Sequence, residues 1–402
     1  MKTIPYFPAK LQPNRQTGFS LVELMVALTI GLLMVAGVLS LFLNTSLTNA
    51  EMARANNLIE NGRFAIQLLE KDIAHAGFWG THIPDFDNLV FTDTPTDIPS
   101  AVPDPCLEYS TANWTPQHKT NLVGIPLQSY EIASPVPSPT LSVCSGIVAS
   151  PKANTDVLFV RHAETCLPGQ GHCAAFDANK VYFQASTLPS TCLPATEAVF
   201  DLSNNPATVL HKRDTQDVGS CTISTATPST TPAADKRKFV SNLYYLRDFA
   251  ETAGDGIPTL VRSSFDGTAH QTAVALIEGI EGFRVELGID NKSKTGAAIN
   301  ASAIVWQDPD TKRIPTNRGD GAPDEFIRCT TASPCTAEQL RNVTAVKIYV
   351  LARNREPSRG YTDTKTYQLG DTSLGPFNDH YKRHVFSTVV RLPNISGRRE
   401  TP

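Results

Sequence analysis

Charged side chains are scarce in this sequence. Aspartate, glutamate, lysine and arginine together make up 18% of its 402 residues, and the formal net charge is only −4. Proteins that bind nucleic acids neutralise phosphates with clustered lysine and arginine, so we expect no nucleic-acid partner. The hydrophobic fraction of 41% is ordinary for a globular protein, and the length allows roughly two or three domain-sized units.

The sequence also lacks the short motifs of common catalytic sites. It contains no His-Glu-x-x-His zinc motif, no Gly-x-Ser-x-Gly nucleophile turn and no glycine-rich phosphate-binding loop. We therefore predict that the protein is not an enzyme and has no cofactor.

Cysteine is present, but no Cys-x-x-Cys pair occurs. The eight cysteines are Cys106, Cys144, Cys166, Cys173, Cys192, Cys221, Cys329 and Cys335. An even number without Cys-x-x-Cys spacing favours disulfides in an oxidising compartment over zinc or redox chemistry. We expect the two short loops Cys166–Cys173 and Cys329–Cys335, with Cys106–Cys144 and Cys192–Cys221 paired in sequence order.

Charge is almost absent from one long stretch near the N-terminus. Between Phe19 and Leu43 the only charged side chain is Glu23. A helix of this length extends about 37 Å, which is enough to cross a hydrocarbon core of about 30 Å. It is too long for the hydrophobic region of a secretory signal, which is about 7–15 residues. A carboxylate within such a run is costly unless it finds a partner.

A cut after Gly18 would create that partner, because it would free an α-amino group on Phe19. Residues 1–18 contain Lys2, Lys10 and Arg15 and no acidic residue, so the positive-inside rule predicts that they stay in the cytoplasm. The C-terminal body would then lie on the far side of the membrane, which in a Gram-negative cell is the periplasm. The cysteine pattern independently indicates the same compartment.

The stretch Gly18-Phe19-Ser20-Leu21-Val22-Glu23-Leu24 and its apolar run resemble the class III signal of type IV prepilins and pseudopilins. The resemblance implies cleavage between Gly18 and Phe19 by a prepilin peptidase, which also methylates the new amine of Phe19. It further implies that Glu23 forms a salt bridge with such an amine when subunits assemble. The alternative from the residues alone is a single-pass anchor with a chance glutamate.

The helical pattern continues beyond the apolar run. One stripe that lies on the globular domain is predicted at Leu58, Gly62, Ala65, Leu69 and Asp72–Ile73, at the three-to-four spacing of a helix face. We expect a cleaved leader over 1–18, one assembly helix over 19–76 that ends at Gly77, and a globular domain over 77–402.

The globular domain is predicted to contain strands. Alternating apolar residues indicate strands at 156–161, 180–184, 239–247, 258–262, 283–290, 344–351 and 384–392. Strands joined by short turns after a leading helix favour an α+β fold with a mainly antiparallel sheet. The 80–235 part is predicted to be irregular and rich in loops, with a Thr/Pro/Ser-rich surface insertion over 203–236.

A second, narrower resemblance lies in the C-terminal half. The block Ala275–Asp290, which reads ALIEGIEGFRVELGID, resembles the matching block of the PilW minor pilins, although Leu287 stands where an aromatic residue is common. The segments Val346–Arg353 and Phe386–Asn394 also fit that family.

Two groups of residues are weak metal candidates. His162, Cys166, His172 and Cys173 are close in sequence, but oxidised cysteines are the expected state there. Asp308, Asp310, Asp320 and Asp324, with Glu325, form an acidic loop that is a weak calcium candidate without EF-hand spacing. The alternative is that this acidic loop is only solvated, and we predict no metal.

Together these features predict a minor pilin of type IV pilus biogenesis. The expected partners are the prepilin peptidase, the inner membrane, other minor pilins and the major pilin, with a final place in a priming or tip complex. One alternative is a minor pseudopilin of a type II secretion system, which genomic neighbours or loss of secretion rather than twitching would reveal. The other is a tip adhesin whose 80–235 region binds a surface ligand.

Overall fold

The structure of the protein is a computed structural model that describes residues 18–89, 94–136, 144, 146–186, 198–206, 210 and 233–400. The chain divides into two compact units, Met1–Arg54 and Ala55–Pro402. The expected leader and the cysteines Cys192 and Cys221 lie outside the described residues.

The long N-terminal helix is the first regular element. It is followed by five shorter α-helices. The helices are α1 (Leu21–Ile73), α2 (Pro116–Gly124), α3 (Pro309–Lys312), α4 (Pro315–Arg318), α5 (Ala337–Arg341) and α6 (Pro393–Arg399). Helix α1 is continuous over its whole length because no proline or helix-ending glycine interrupts it before Gly77, where φ is +73°.

Fourteen strands are described, and every pairing between them is antiparallel. The first seven are β1 (Leu127–Ile132), β2 (Thr155–Ala163), β3 (Tyr182–Ala185), β4 (Phe200–Ser203), β5 (Lys236–Arg247), β6 (Thr259–Asp266) and β7 (Ala269–His270). The others are β8 (Val274–Glu278), β9 (Ile280–Ile289), β10 (Glu325–Ile327), β11 (Val343–Arg353), β12 (Tyr367–Leu369), β13 (Thr372–Leu374) and β14 (Arg383–Arg391).

The strands form a large sheet, a small sheet and a hairpin. The large sheet has eight strands in the order β1-β2-β5-β3-β4, and β6 joins β5 to β7 and β8. The small sheet has four strands in the order β10-β9-β11-β14, and β12 and β13 form the hairpin. The predicted α+β fold of a long helix and antiparallel sheets is therefore confirmed.

The main core joins the C-terminal part of α1 to both sheets. Phe283, Val285, Leu287 and Ile289 of β9 are buried in it, together with the predicted stripe of α1. A second cluster under the large sheet is aromatic, and Trp79 at its centre donates its indole N–H to the carbonyl of Val123 at 3.1 Å.

A buried ion cluster ties the large sheet to the small one. Asp156 on β2 accepts hydrogen bonds from Arg284 Nη1 on β9 at 3.1 Å and from Arg328 Nη2, just beyond β10, at 2.7 Å. The second carboxylate oxygen accepts the backbone N–H of Val285 at 2.9 Å. Asp156 and Arg284 are both at most 3% exposed, so the two sheets share one fixed charge centre.

The 80–235 part contains more regular structure than the sequence predicted. Strands β2 and β3 lie at the predicted strands 156–161 and 180–184, whereas α2, β1 and β4 were not predicted, and β1 forms one edge of the large sheet. Helix α2 begins with Thr115, whose hydroxyl accepts the backbone N–H of His118, followed by Pro116. The sequence analysis did not predict α2, because the helix is short and lies in a stretch rich in proline with little apolar periodicity. Most of the expected 203–236 insertion lies outside the described residues.

Candidate functional site

The N-terminal end of α1 holds the residues that the sequence singles out. The hydroxyl of Ser20 accepts the backbone N–H of Glu23 at 3.2 Å, and the carbonyl of Ser20 accepts the N–H of Leu24 at 3.1 Å. Ser20 is therefore the N-cap of the helix, and Glu23 lies in its first turn. The exposed N–H groups of that turn favour a carboxylate there.

Gly18 and Phe19 precede this cap and are open to solvent. Phe19 is 85% exposed. A Cβ atom built on Gly18 would meet nothing within 4 Å, and its φ is not in the left-handed region. The protein's own fold therefore places no demand for glycine at position 18. A requirement for glycine there would come from an enzyme that recognises the segment.

The apolar half of α1 presents no buried face in this chain. Every residue from Gly18 to Ala50 is exposed. By length and composition this helix could cross a membrane, which fits membrane anchoring. The hydroxyls of Thr29, Thr45 and Thr48 bond to carbonyls three or four residues earlier at 2.8–2.9 Å. These polar groups are thus satisfied within the helix, as an apolar environment requires.

The buried stripe of α1 packs where the sequence placed it. Leu58, Gly62, Ala65, Leu69 and Ile73 are the buried residues of the helix. Gly62 lies directly against the ring of Phe386 on β14, and a Cβ atom at position 62 would overlap Cε2 of that ring. The absence of a side chain at position 62 therefore sets how closely the helix approaches the small sheet.

The last turn of α1 also carries Asp72, which the sequence pattern placed in the stripe beside Ile73 and whose side chain is 14% exposed. Asp72 accepts hydrogen bonds from the Tyr244 hydroxyl at 2.9 Å and the Asn242 amide at 3.0 Å. The Nε2 atom of His162 lies 3.2 Å from its other oxygen. Burial by itself would raise the pKa of Asp72, but these hydrogen bonds and the charge of His162 outweigh it and lower the pKa.

The same carboxylate affects its tyrosine neighbour. Burial, followed by the nearby Asp72 charge, raises the pKa of Tyr244 far above its usual value. Tyr244 is thus a permanent donor at any physiological pH. The pattern that could have revealed this network is weak, because Asp72 is separated from Asn242 and Tyr244 by 170 and 172 residues.

All six cysteines that the structure describes form disulfides. They pair as Cys106–Cys144, Cys166–Cys173 and Cys329–Cys335, which are three of the four pairs expected from the sequence. The fourth expected pair, Cys192–Cys221, lies outside the described residues.

The histidine and cysteine candidates do not come together as one metal centre. Within the described chain, the one compact group of three candidate ligands is Cys166, His172 and Cys173, and no ion is present there. Its two sulfur atoms are in a disulfide, whereas thiolates are the form that binds metals. His162 lies instead against Asp72.

The four aspartates of the acidic loop form hydrogen bonds and ion pairs with nearby groups of the protein. Asp308 and Asp320 each accept the backbone N–H two residues later, and Asp324 accepts the N–H groups of Asn291 and Lys292. Asp310 is paired with Arg313 at 3.5 Å. In the described chain these four carboxylates do not form one group of candidate ligands.

Comparisons with known proteins assign two parts of the chain. Residues 243–394 match the family described as type IV pilus-assembly protein W, PilW, and residues 13–39 match the prokaryotic N-terminal methylation motif. No curated protein matches the chain. Among solved structures, the chain is similar to a type IV-like pilin from Thermus thermophilus, with 14% identity and a TM-score of 0.24 over 61% of this chain and 81% of that one.

Proposed function

We propose that the chain is a type IV pilin-like protein of the PilW family with a minor-pilin role in pilus biogenesis, which its matches to the PilW family model and to the N-terminal methylation motif support, and that it is a subunit of the complex that primes the pilus or forms its tip. It is anchored in the inner membrane through α1 with its disulfide-containing body in the periplasm. A prepilin peptidase cuts it after Gly18 and methylates Phe19. Other minor pilins and the major pilin are its assembly partners.

The observation that carries this proposal is the position of Glu23. It is the only charge of the apolar run, lies one turn from the cut and is exposed in the isolated chain. Cleavage after Gly18 places a positive amine on Phe19. When the α1 helices of neighbouring subunits pack together, an unpaired carboxylate among apolar side chains is far more costly than a paired one. A Glu23–amine pair between subunits therefore favours one axial stagger of the helices and disfavours others.

The placement of the body in the periplasm has independent support. The basic leader favours the cytoplasmic side for the N-terminus, and disulfides form in oxidising compartments such as the periplasm. Both features agree with the proposed membership of the PilW family.

The test compares Glu23→Ala with the wild-type chain in cells that assemble pili. We expect Glu23→Ala to be cut normally but to enter sheared pili or the isolated tip complex at least about tenfold less than wild type, because the amine loses its buried partner. N-terminal sequencing of the purified protein and immunoblotting of the pilus fraction measure the two steps separately.

Gly18→Ala is the matched control for processing. Because the fold has room for a Cβ atom at position 18, this variant should fold normally and accumulate as an uncut membrane precursor. Normal processing of Gly18→Ala would overturn the prepilin proposal. Unchanged incorporation of Glu23→Ala would remove the salt bridge and leave the rest of the proposal standing.

A further inference from the structure

The small sheet ends in an unusually open edge strand. Among the described strands, β14 pairs only with β11, over nine residues from Arg383 to Arg391. Its other side presents backbone N–H and C=O groups that pair with no described strand. An edge of this kind is a ready template for a further strand.

The sequence of β14 has none of the usual protection against such pairing. Between Arg383 and Arg391 it reads HVFSTVV, with no proline, glycine, lysine, aspartate or glutamate. These residues favour extended structure, and Val389 is 56% exposed. Natural edge strands are commonly shortened, bulged or charged to prevent association. A long uncharged edge therefore indicates a partner strand.

The two terminal arginines are neutralised by groups within the chain. Arg383 is fully buried among Glu281, Asp363 and Asp379, with Asp363 at 2.8 Å and Asp379 at 2.6 Å. Arg391 is paired with Glu400. Neither arginine therefore leaves a free positive charge at the ends of the open strand. The strand thus neither repels a basic partner nor requires an acidic partner strand.

The direction of β14 relative to α1 restricts the partner. Position 62 of α1 lies against Phe386, and the carbonyls of Ala74 and Ala76 at the end of the helix accept the side-chain amide of Asn394. The helix segment from residue 55 and β14 therefore run in the same direction. The antiparallel ladders then make β11 run opposite to this segment, β9 along it, and β10, the other edge of the small sheet, opposite to it.

From this geometry we infer that the open edge of β14 binds an edge strand of a neighbouring pilin-like subunit, namely a strand that runs opposite to that subunit's own α1. The inference rests on the proposed function, under which neighbouring subunits run their α1 helices in one direction. Only a strand of that polarity forms an antiparallel pair with β14 while both helices keep a common direction. In this chain β10 has that polarity, so a partner of the same fold offers a strand of the required kind.

The pairing would be head-to-tail rather than symmetric. A second copy of this chain that paired through its own β14 in antiparallel register would turn its α1 in the opposite direction, which a shared helix bundle excludes. A heterologous contact of this kind can continue from one subunit to the next. It would join the small sheets of adjacent subunits while Glu23 sets their axial stagger.

Photo-crosslinking of the full-length protein in pilus-producing cells tests the inference. The crosslinking amino acid p-benzoylphenylalanine replaces Val389 in one strain and Val274 in another. Val274 is a matched control because it is 54% exposed in β8, an edge strand of the large sheet. We expect position 389 to crosslink to another pilin-like subunit, at a strand that runs opposite to that subunit's α1, and position 274 to give no such product.

A charge at the edge gives a second readout. Val389→Lys should lower recovery in the pilus fraction about tenfold, because a lysine at an edge opposes strand addition, whereas Val389→Thr and Val274→Lys should assemble like wild type. Equal thermal unfolding of the purified full-length variants in detergent excludes a folding defect.

Three results would overturn the inference: no crosslink from position 389, a crosslink from it to β14 of a second copy of this chain or to a protein that is not a pilin, or normal assembly of Val389→Lys. In each case Glu23→Ala and Gly18→Ala would still test the proposed function independently, since neither substitution touches the small sheet.

Discussion

At the residue scale, Gly62 shows how one missing side chain fixes a helix against a sheet. The ring of Phe386 occupies the space that a Cβ atom at position 62 would need. The sequence pattern correctly predicted a buried small residue there, because position 62 falls on the helical stripe. It did not predict the reason, since Phe386 lies more than three hundred residues away in sequence.

Gly62→Ala should therefore destabilise the folded body, although alanine favours helix by about 1 kcal/mol over glycine. Overpacking against the ring is expected to cost about 1–3 kcal/mol, so the net loss should reach up to about 2 kcal/mol. Thermal or urea unfolding of the detergent-solubilised chain measures it. Gly37→Ala, where a Cβ atom meets nothing within 4 Å, should be neutral or slightly stabilising.

The double variant Gly62→Ala/Phe386→Leu provides the decisive comparison. If the contact explains the loss, the two substitutions should be clearly non-additive, because the smaller leucine leaves room for the new methyl group. Strict additivity would mean that position 62 acts through helix propensity or another contact.

At the scale of elements, some helices and strands were predicted from the sequence and others were missed, and their length and apolar pattern explain the difference. Strand β9 was found from alternation alone, because Phe283, Val285, Leu287 and Ile289 all face the core. Helix α2 and strand β1 were missed, because they are short and lie among prolines. The pairing of strands into two sheets could not be predicted, since pairing depends on contacts between distant segments.

The ion cluster at Asp156 is the clearest feature that could not be predicted from the sequence, because it joins segments that are distant in the chain. The sequence marks Asp156 only as the first residue of a strand pattern, yet its carboxylate accepts from Arg284, Arg328 and the backbone of Val285. The burial of Arg284 lowers its pKa, which the charge of Asp156 opposes. Asp156 is thus the buried centre of the link between the two sheets, and Glu131 on β1 adds a second ion pair with Arg328 at 2.9 Å.

Asp156→Ala should destabilise the protein by about 3–5 kcal/mol, because it leaves two buried or half-buried guanidinium groups without their shared partner. Urea unfolding at pH 7.5 gives the free energy. Asp310→Ala removes an exposed ion pair, with the Asp310 side chain 87% exposed, and should change the free energy by less than about 0.5 kcal/mol. Similar small effects of both substitutions would show that the cluster is not needed to join the sheets.

At the scale of the whole molecule, buried histidines make the fold sensitive to acid. His82 and His270 are 8% and 7% exposed, and burial, the main cause in both, lowers each pKa to about 3. Nearby Arg398 and Arg161 respectively add to the shift. Both side chains are therefore neutral in the folded protein at pH values where the unfolded chain, with an ordinary histidine pKa of about 6.5, takes up protons.

Stability should consequently fall as the pH drops below about 6.5 and continue to fall toward pH 3. At pH 5 each of the two histidines is expected to reduce the free energy of unfolding by about 2 kcal/mol relative to pH 7.5. Urea unfolding across this range measures the slope. His270→Gln should lower the slope. An unchanged slope in His270→Gln would show that this histidine is not buried in its neutral form.

The N-cap at Ser20 has one more consequence, which concerns the order of events in the life of the chain. Every hydrogen bond that begins α1 is made by Ser20 or by residues after it, whereas the expected cut lies before Phe19. Among the described residues, the proposed cut therefore breaks none of the hydrogen bonds that begin the helix. The first turn of α1 can form before the cut is made, and the cut would then change the charge next to that turn while its hydrogen bonds stay the same.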